Sequence, residues 1–71
     1  MEPDIDPIDE KIIKTLKNKD KPQTTYQLAK ESNISWSATM AHCMKLKSID
    51  LIDHKITTDI LGKKIHYWSI K

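Results

Sequence analysis

Between residues 23 and 52 the chain reads QTTYQLAKESNISWSATMAHCMKLKSIDLI, a run that leaves little choice of local structure. Thr24-x-x-Gln27 has the form of a capping box, in which a hydroxyl accepts from the amide three residues on and the amide side chain reaches back. It predicts a helix opening at about residue 25, with Leu28 and Ala29 on its buried face and Tyr26 beside them. Asn33 can take the left-handed conformation that stops a helix, a task usually left to glycine. Ile34 anchors the turn, and Ser35 stands where it can cap another helix over about 36–48. Two helices joined by so short a turn make a helix-turn-helix unit.

The flanking segments extend this unit into a domain. Asp6 caps a first helix over about 7–18, with Pro7 at the position where a missing N–H costs nothing. Asp9 and Glu10 favour its first turn, and Ile8, Ile12, Ile13 and Leu16 share one face. Residues 1–6 form an acidic start expected to be frayed or disordered, ahead of a single domain over 7–71. Beyond Leu51 the apolar period changes to two. Ile52 and Ile56 share a face of a strand over about 51–58, and the turn 59–62 holds the only glycine, Gly62. Residues 63–70 read as a second strand, with Trp68 and Ile70 inward and Tyr67 outward. The fold class is α+β, mainly α: three helices, then a two-stranded hairpin.

On the third helix, placing Thr39, Cys43 and Leu46 inward leaves Ser37, Ala41, Met44 and Ser48 outward. Met40 and Lys45 flank that outward face, His42 sits at the inward edge, and Trp36 lies near the rim of the core. The face is small, apolar and almost uncharged. Ile60 and Leu61 are unusual for a hairpin tip. They could fold back onto the body, be buried in a dimer, or wedge into a ligand.

Charge is segregated along the chain. Five of the ten acids fall in the first ten residues, so residues 11–71 carry all 12 basic residues against five acids, a net of +7. A basic body of this size attracts polyanions. Every basic residue is lysine, and without arginine the bidentate reading of guanine is unavailable. No apolar run approaches the roughly 18 residues of a membrane span, and the acidic start is unlike a signal peptide. One cysteine, Cys43, cannot form an internal disulfide, which fits a reducing, cytoplasmic setting.

Catalytic and metal chemistry find little support. His42, Cys43, His54 and His66 are the only soft ligands, and they show no paired-Cys or His-x₃-His spacing. Cys43 falls on a buried face as an inert core thiol. One glycine is too few for a phosphate-binding loop. No cofactor, metal or catalytic residue is expected.

The run Thr24, Gln27-Leu28-Ala29, Asn33-Ile34-Ser35, Leu46 and Asp50-Leu51-Ile52, closed by Gly62-Lys63-Lys64-Ile65-His66-Tyr67-Trp68-Ser69-Ile70, resembles the winged helix-turn-helix family of transcription regulators. Small archaeal, viral and bacterial members are the most similar. The match covers about residues 7–70, with Asn33 and Asp50 standing where the family has glycine. The resemblance implies double-stranded DNA as partner, with helix 36–48 in the major groove and the 55–64 wing on the backbone. Ser37 would meet a base edge or phosphate, and Met40, Ala41 and Met44 would lie on thymine methyls. Ser35 would receive a phosphate at the helix start. Trp36 would pack at the core edge, lie on the backbone or anchor a protein interface. Lys30, Lys45, Lys55, Lys63 and Lys64 would reach phosphates. Such contacts suit AT-rich sites, and a homodimer and nucleoid association are expected with them. The architecture is also that of Zα domains, but Trp36, Met40 and Met44 replace their lysine, asparagine and tyrosine, which excludes that reading. The competing reading is a protein-interaction domain that docks a partner through Trp36, Met40 and Met44.

Overall fold

Each helix begins where a side chain stands ready for its first free amides. The computed structural model describes residues 5–71, and in it α1 spans Pro7–Asn18, α2 spans Thr25–Ser32 and α3 spans Trp36–Ser48. Asp6 Oδ1 accepts from the Asp9 amide at 2.8 Å, while the Asp6 amide donates to Asp9 Oδ2 at 3.1 Å. Thr24 and Gln27 make the reciprocal pair for α2 at 3.0 and 2.9 Å. Ser35 Oγ takes the Ala38 amide at the start of α3. Residues 1 to 4, where most of the expected frayed start falls, lie outside the described residues. Ile5 packs against the core and Asp6 is the α1 cap.

Two helix ends adopt left-handed backbone without glycine. Asn33 closes α2 at φ 56, and its follower Ile34 donates back to the Ala29 carbonyl at 3.0 Å. After α3, Asp50 sits at φ 65, with Asp50 N–H on Lys47 O and Leu51 N–H on Leu46 O. This pair of bonds is the Schellman arrangement, which satisfies carbonyls the helix would otherwise leave open.

The hairpin comprises β2 (Ile52–Thr58) and β3 (Lys64–Ile70), paired antiparallel from Ile52↔Ile70 to Thr58↔Lys64. A third strand, β1 (Gln23–Thr24), joins the far edge of β3 through Gln23↔Trp68 and Thr24↔Tyr67, giving the order β1-β3-β2. The two-stranded sheet expected from the sequence is thus three-stranded. Two residues are too few to show a period of two, and these two also lead into a helix cap.

The three helices and the base of the sheet close on Ile12, Leu16, Leu28, Cys43, Leu46, Ile52 and Trp68. Each large aliphatic side chain buried there contributes on the order of 1.5–3 kcal/mol. Trp68 is fully enclosed, and its Nε1–H donates to Thr25 Oγ1 at 2.8 Å, tying β3 to the first turn of α2. Among the described residues, no buried side-chain nitrogen or oxygen lacks a hydrogen-bond partner. Ile56 shares a strand face with Ile52 but lies past the helices and is half exposed. Beyond it the wing projects, and the molecule measures 42 Å along its long axis against 23 Å across. Ile60 and Leu61 at the tip are 100% and 78% exposed, so the fold-back placement does not occur. The body ends at Ile56, too far down the hairpin to offer them a surface.

Candidate nucleic-acid interface

Helix α3 is held by its inward residues. Thr39, Cys43 and Leu46 are fully buried, as their spacing predicts, and Thr39 Oγ1 donates to the Ser35 carbonyl at 2.9 Å. Burial pushes the Cys43 thiol up to about 12, with the Asp9 charge adding to the effect. That leaves Ser35, Trp36, Ser37, Ala41, Met44 and Ser48 exposed along the helix, while Met40 is half-buried and packs on the core. Trp36 is 52% exposed and Met44 50%.

An open hollow at the start of α3 is lined by Tyr26, Lys30, Asn33, Ser35 and Trp36. A second hollow connects it to the wing, between Tyr26 and Trp36 on one side and Lys64, Ile65 and His66 on the other. The start of α3 and the second wing strand therefore flank one continuous surface. Lys30, Lys55, Lys63 and Lys64 are exposed. The wing tip is tied by Asp59, whose Oδ1 accepts from the Leu61 and Lys63 amides, each at 2.9 Å. Gly62 completes the turn at φ 81, and no neighbour crowds its Cβ position, so φ alone is what the turn asks of it.

Lys45 is placed differently from the other lysines. Its ammonium lies 2.5 Å from Asp9 Oδ2, and His42 Nδ1 lies 2.8 Å from Asp9 Oδ1. Burial alone would raise the Asp9 carboxyl, but hydrogen bonds from Lys45, His42 and the Asp6 amide outweigh it and hold the group below its ordinary range. An ionised carboxylate only accepts, so His42 carries its proton on Nδ1. Lys45 can meet a phosphate only by leaving this pair. In the sequence Asp6 reads as a cap and Asp9 and Glu10 as first-turn residues, and nothing local marks Asp9 for burial against a partner 33 residues away. Asp6, Asp9 and His42 bring ligand atoms within 4.8 Å of one another, and the Lys45 ammonium, 2.5 Å from Asp9 Oδ2 and 4.0 Å from Asp6 Oδ2, already stands where a cation would and offsets one of the two carboxylate charges.

A second grouping missed in the sequence lies on the wing. The strand register brings His54 and His66 together, with Nε2 of one 2.8 Å from Nδ1 of the other, over the indole of Trp68. Among the described residues, no helix is long and apolar enough to cross a membrane.

A family model described as winged helix-turn-helix DNA-binding matches residues 5–53. No curated protein matches the chain. Of solved structures, a possible transcriptional regulator from Methanosarcina mazei Go1 superposes with a TM-score of 0.85 at 18% identity, over 93% of this chain and 56% of the other. A zinc-responsive MarR family member from Lactococcus lactis, ZitR, superposes at 0.76 with 22% identity, over 100% of this chain and 46% of its own. At these identities the likeness is one of fold, and the chain spans about half the length of each of these proteins.

Proposed function

The chain belongs to the winged helix-turn-helix DNA-binding family, and we propose that it binds double-stranded DNA as a small transcription regulator without chemistry of its own. In this reading α3 enters the major groove, and the exposed Ser37, Ala41 and Met44 face base edges and thymine methyls, with Met40 adding the part of its side chain that does not pack on the core. Ser35 and the first amides of α3 take a phosphate, and Trp36 lies beside the backbone. Lys30, Lys55, Lys63 and Lys64 follow the flanking phosphates. Lys45 joins them only in exchange for Asp9. The observation that carries the reading is the surface shared by the α3 start and the wing, with Lys30 and Lys64 exposed along it. An apolar reading face and a chain without arginine favour AT-rich sites. Action at the nucleoid, in the cytoplasm, follows from this reading, and a homodimer on a two-fold site is part of the proposal.

A protein-docking role is the second reading, favoured by the half-exposed Trp36 and Met44 on one helix. Ionic strength separates the two, because lysine–phosphate binding weakens steeply with salt while an apolar interface does not. The deciding experiment is fluorescence anisotropy of a labelled mixed-sequence duplex at about 50 and 200 mM salt. Binding that falls by roughly tenfold or more supports the DNA reading. Absence of binding at low salt overturns it for this chain. The Lys63→Glu/Lys64→Glu variant should abolish DNA binding and spare a protein interface, whereas Met44→Asp damages either.

A further inference from the structure

We propose that His54 and His66 form a two-imidazole site for a divalent transition-metal ion of the zinc or copper class, on the helix-facing side of the wing. The register sets it up. His54 lies opposite Trp68 and His66 opposite Ile56, so the two histidines are diagonal neighbours on one sheet face, close enough for long side chains to meet.

Their geometry is that of a clamp. The ring planes differ by 1° and the centroids are 5.0 Å apart, yet the nearest nitrogens are 2.8 Å apart. Face-to-face rings cannot bring atoms closer than about 3.5 Å, so the imidazoles lie edge to edge in nearly one plane. A ring nitrogen's lone pair lies in its ring plane, and at these distances Nε2 of His54 and Nδ1 of His66 face each other nearly head on, with one shared proton between them in the hydrogen-bonded pair. The platform beneath is rigid, because the His54 ring lies 4.1 Å from the buried Trp68 indole and tilts from it by only 11°.

A metal takes neutral imidazole. Each ring can hold its single proton on the far nitrogen, leaving both facing nitrogens as donors to the metal. Zinc–nitrogen bonds of about 2.0–2.1 Å at a tetrahedral angle need the two donors roughly 3.3 Å apart. The rings must therefore part by about half an ångström and each swing by roughly 35° in their common plane to turn both lone pairs onto the ion, which two partly exposed side chains can do while His54 stays over the indole, and water completes the coordination. Nitrogen donors without thiolate or carboxylate favour copper(II) over zinc in the usual affinity order. The positive charges of Lys47, and of Lys64 on the same strand face, reduce affinity without removing the site. A bound ion would replace the shared proton as the tie between β2 and β3, and would add positive charge beside α3.

The test is isothermal titration of the full chain at neutral pH with Zn²⁺ and, separately, Cu²⁺. We expect one ion per chain and tighter binding of copper. His54→Gln and His66→Gln should each weaken binding about tenfold or more. His42→Gln should leave it unchanged, since that ring is committed to Asp9. Proton–carbon NMR of the unmodified chain makes the result independent of how the variants fold. The His54 and His66 ring signals should move or broaden with the metal while those of His42 stay put. Absence of binding up to millimolar metal, binding that survives both substitutions together, or signals that move at His42 instead would each overturn the proposal.

Discussion

Carboxylates in the first turn of a helix ordinarily stay in water, and Asp9 does not. It is fully buried, accepts from His42 and Lys45 on α3, and closes the α1 capping box with Asp6. One side chain therefore orients α3 relative to α1, and with it the exposed helix face. Asp9→Asn keeps the shape but loses the charge that two donors need, and should destabilise the fold by about 1–3 kcal/mol in urea denaturation. The pH dependence has a definite sign. The folded carboxyl titrates below the 3.8 of the free group, so the unfolded chain binds the proton more tightly. The stability this supplies is present above pH 3.8 and is lost as pH falls through that value toward the folded one. Urea midpoints at pH 6 and pH 3 should fall more for the natural chain than for Asp9→Asn, and an equal fall would remove Asp9 from the account. Cys43 makes a separate prediction at this scale. With no exposed surface and a thiol pushed up to about 12, it should resist Ellman's reagent in the native protein and react promptly in denaturant.

At the scale of elements, the turn after α3 shows how a helix can end without glycine. Asp50 occupies left-handed space at φ 65 while its neighbours complete the two Schellman bonds, and its carboxylate pairs with Lys71 at the far end of β3. Asp50→Val meets the steric penalty of that region directly and should cost about 1–2 kcal/mol, whereas Asp50→Gly should not destabilise. Thermal melts of the pair decide whether the backbone angle or the side chain governs the turn. The sequence announces this turn and all three helix starts, because caps, stops and the 3.6-residue period are local signals. The buried Thr39, Cys43 and Leu46 are legible for the same reason, and so the exposed face of α3 is too. What pairs at a distance is not legible. Strand β1 is hidden in two residues, and the partnership of Asp9 with α3 has no local mark. His54 and His66 lie 12 apart in the chain and meet only because the hairpin register puts them on one face. The tip residues Ile60 and Leu61 show the converse. Their apolarity argues for burial, but the hairpin extends past any surface of the chain's own body that could cover them.

For the molecule as a whole, the useful quantity is how strongly DNA binding responds to salt, because every cation here is a lysine and lysine acts on phosphate as a point charge. Four exposed lysines are proposed to follow the phosphates: Lys30 and Lys64, which line the hollows beside α3, Lys63 near the wing tip, and Lys55, which shares the outer sheet face with Tyr67. Each phosphate neutralised contributes about −0.9 to the slope of log affinity against log salt. One chain per site with these four contacts gives a slope of about −3.6, and two chains on a symmetric site give about −7. The slope therefore reads stoichiometry as well as mechanism. A single substitution removes the ambiguity between more contacts and more chains. Lys55→Gln should make the slope shallower by about 0.9 if one chain binds and by about 1.8 if two chains bind together. Lys45→Gln provides the contrast. Its ammonium is on Asp9, so losing it should lower stability while leaving the slope close to its original value. Anisotropy titrations at four or five salt concentrations, run on the natural chain and these two variants, distinguish the cases. A slope unchanged by Lys55→Gln would take that lysine off the phosphate backbone, and one made shallower by Lys45→Gln would put Lys45 on DNA rather than on Asp9.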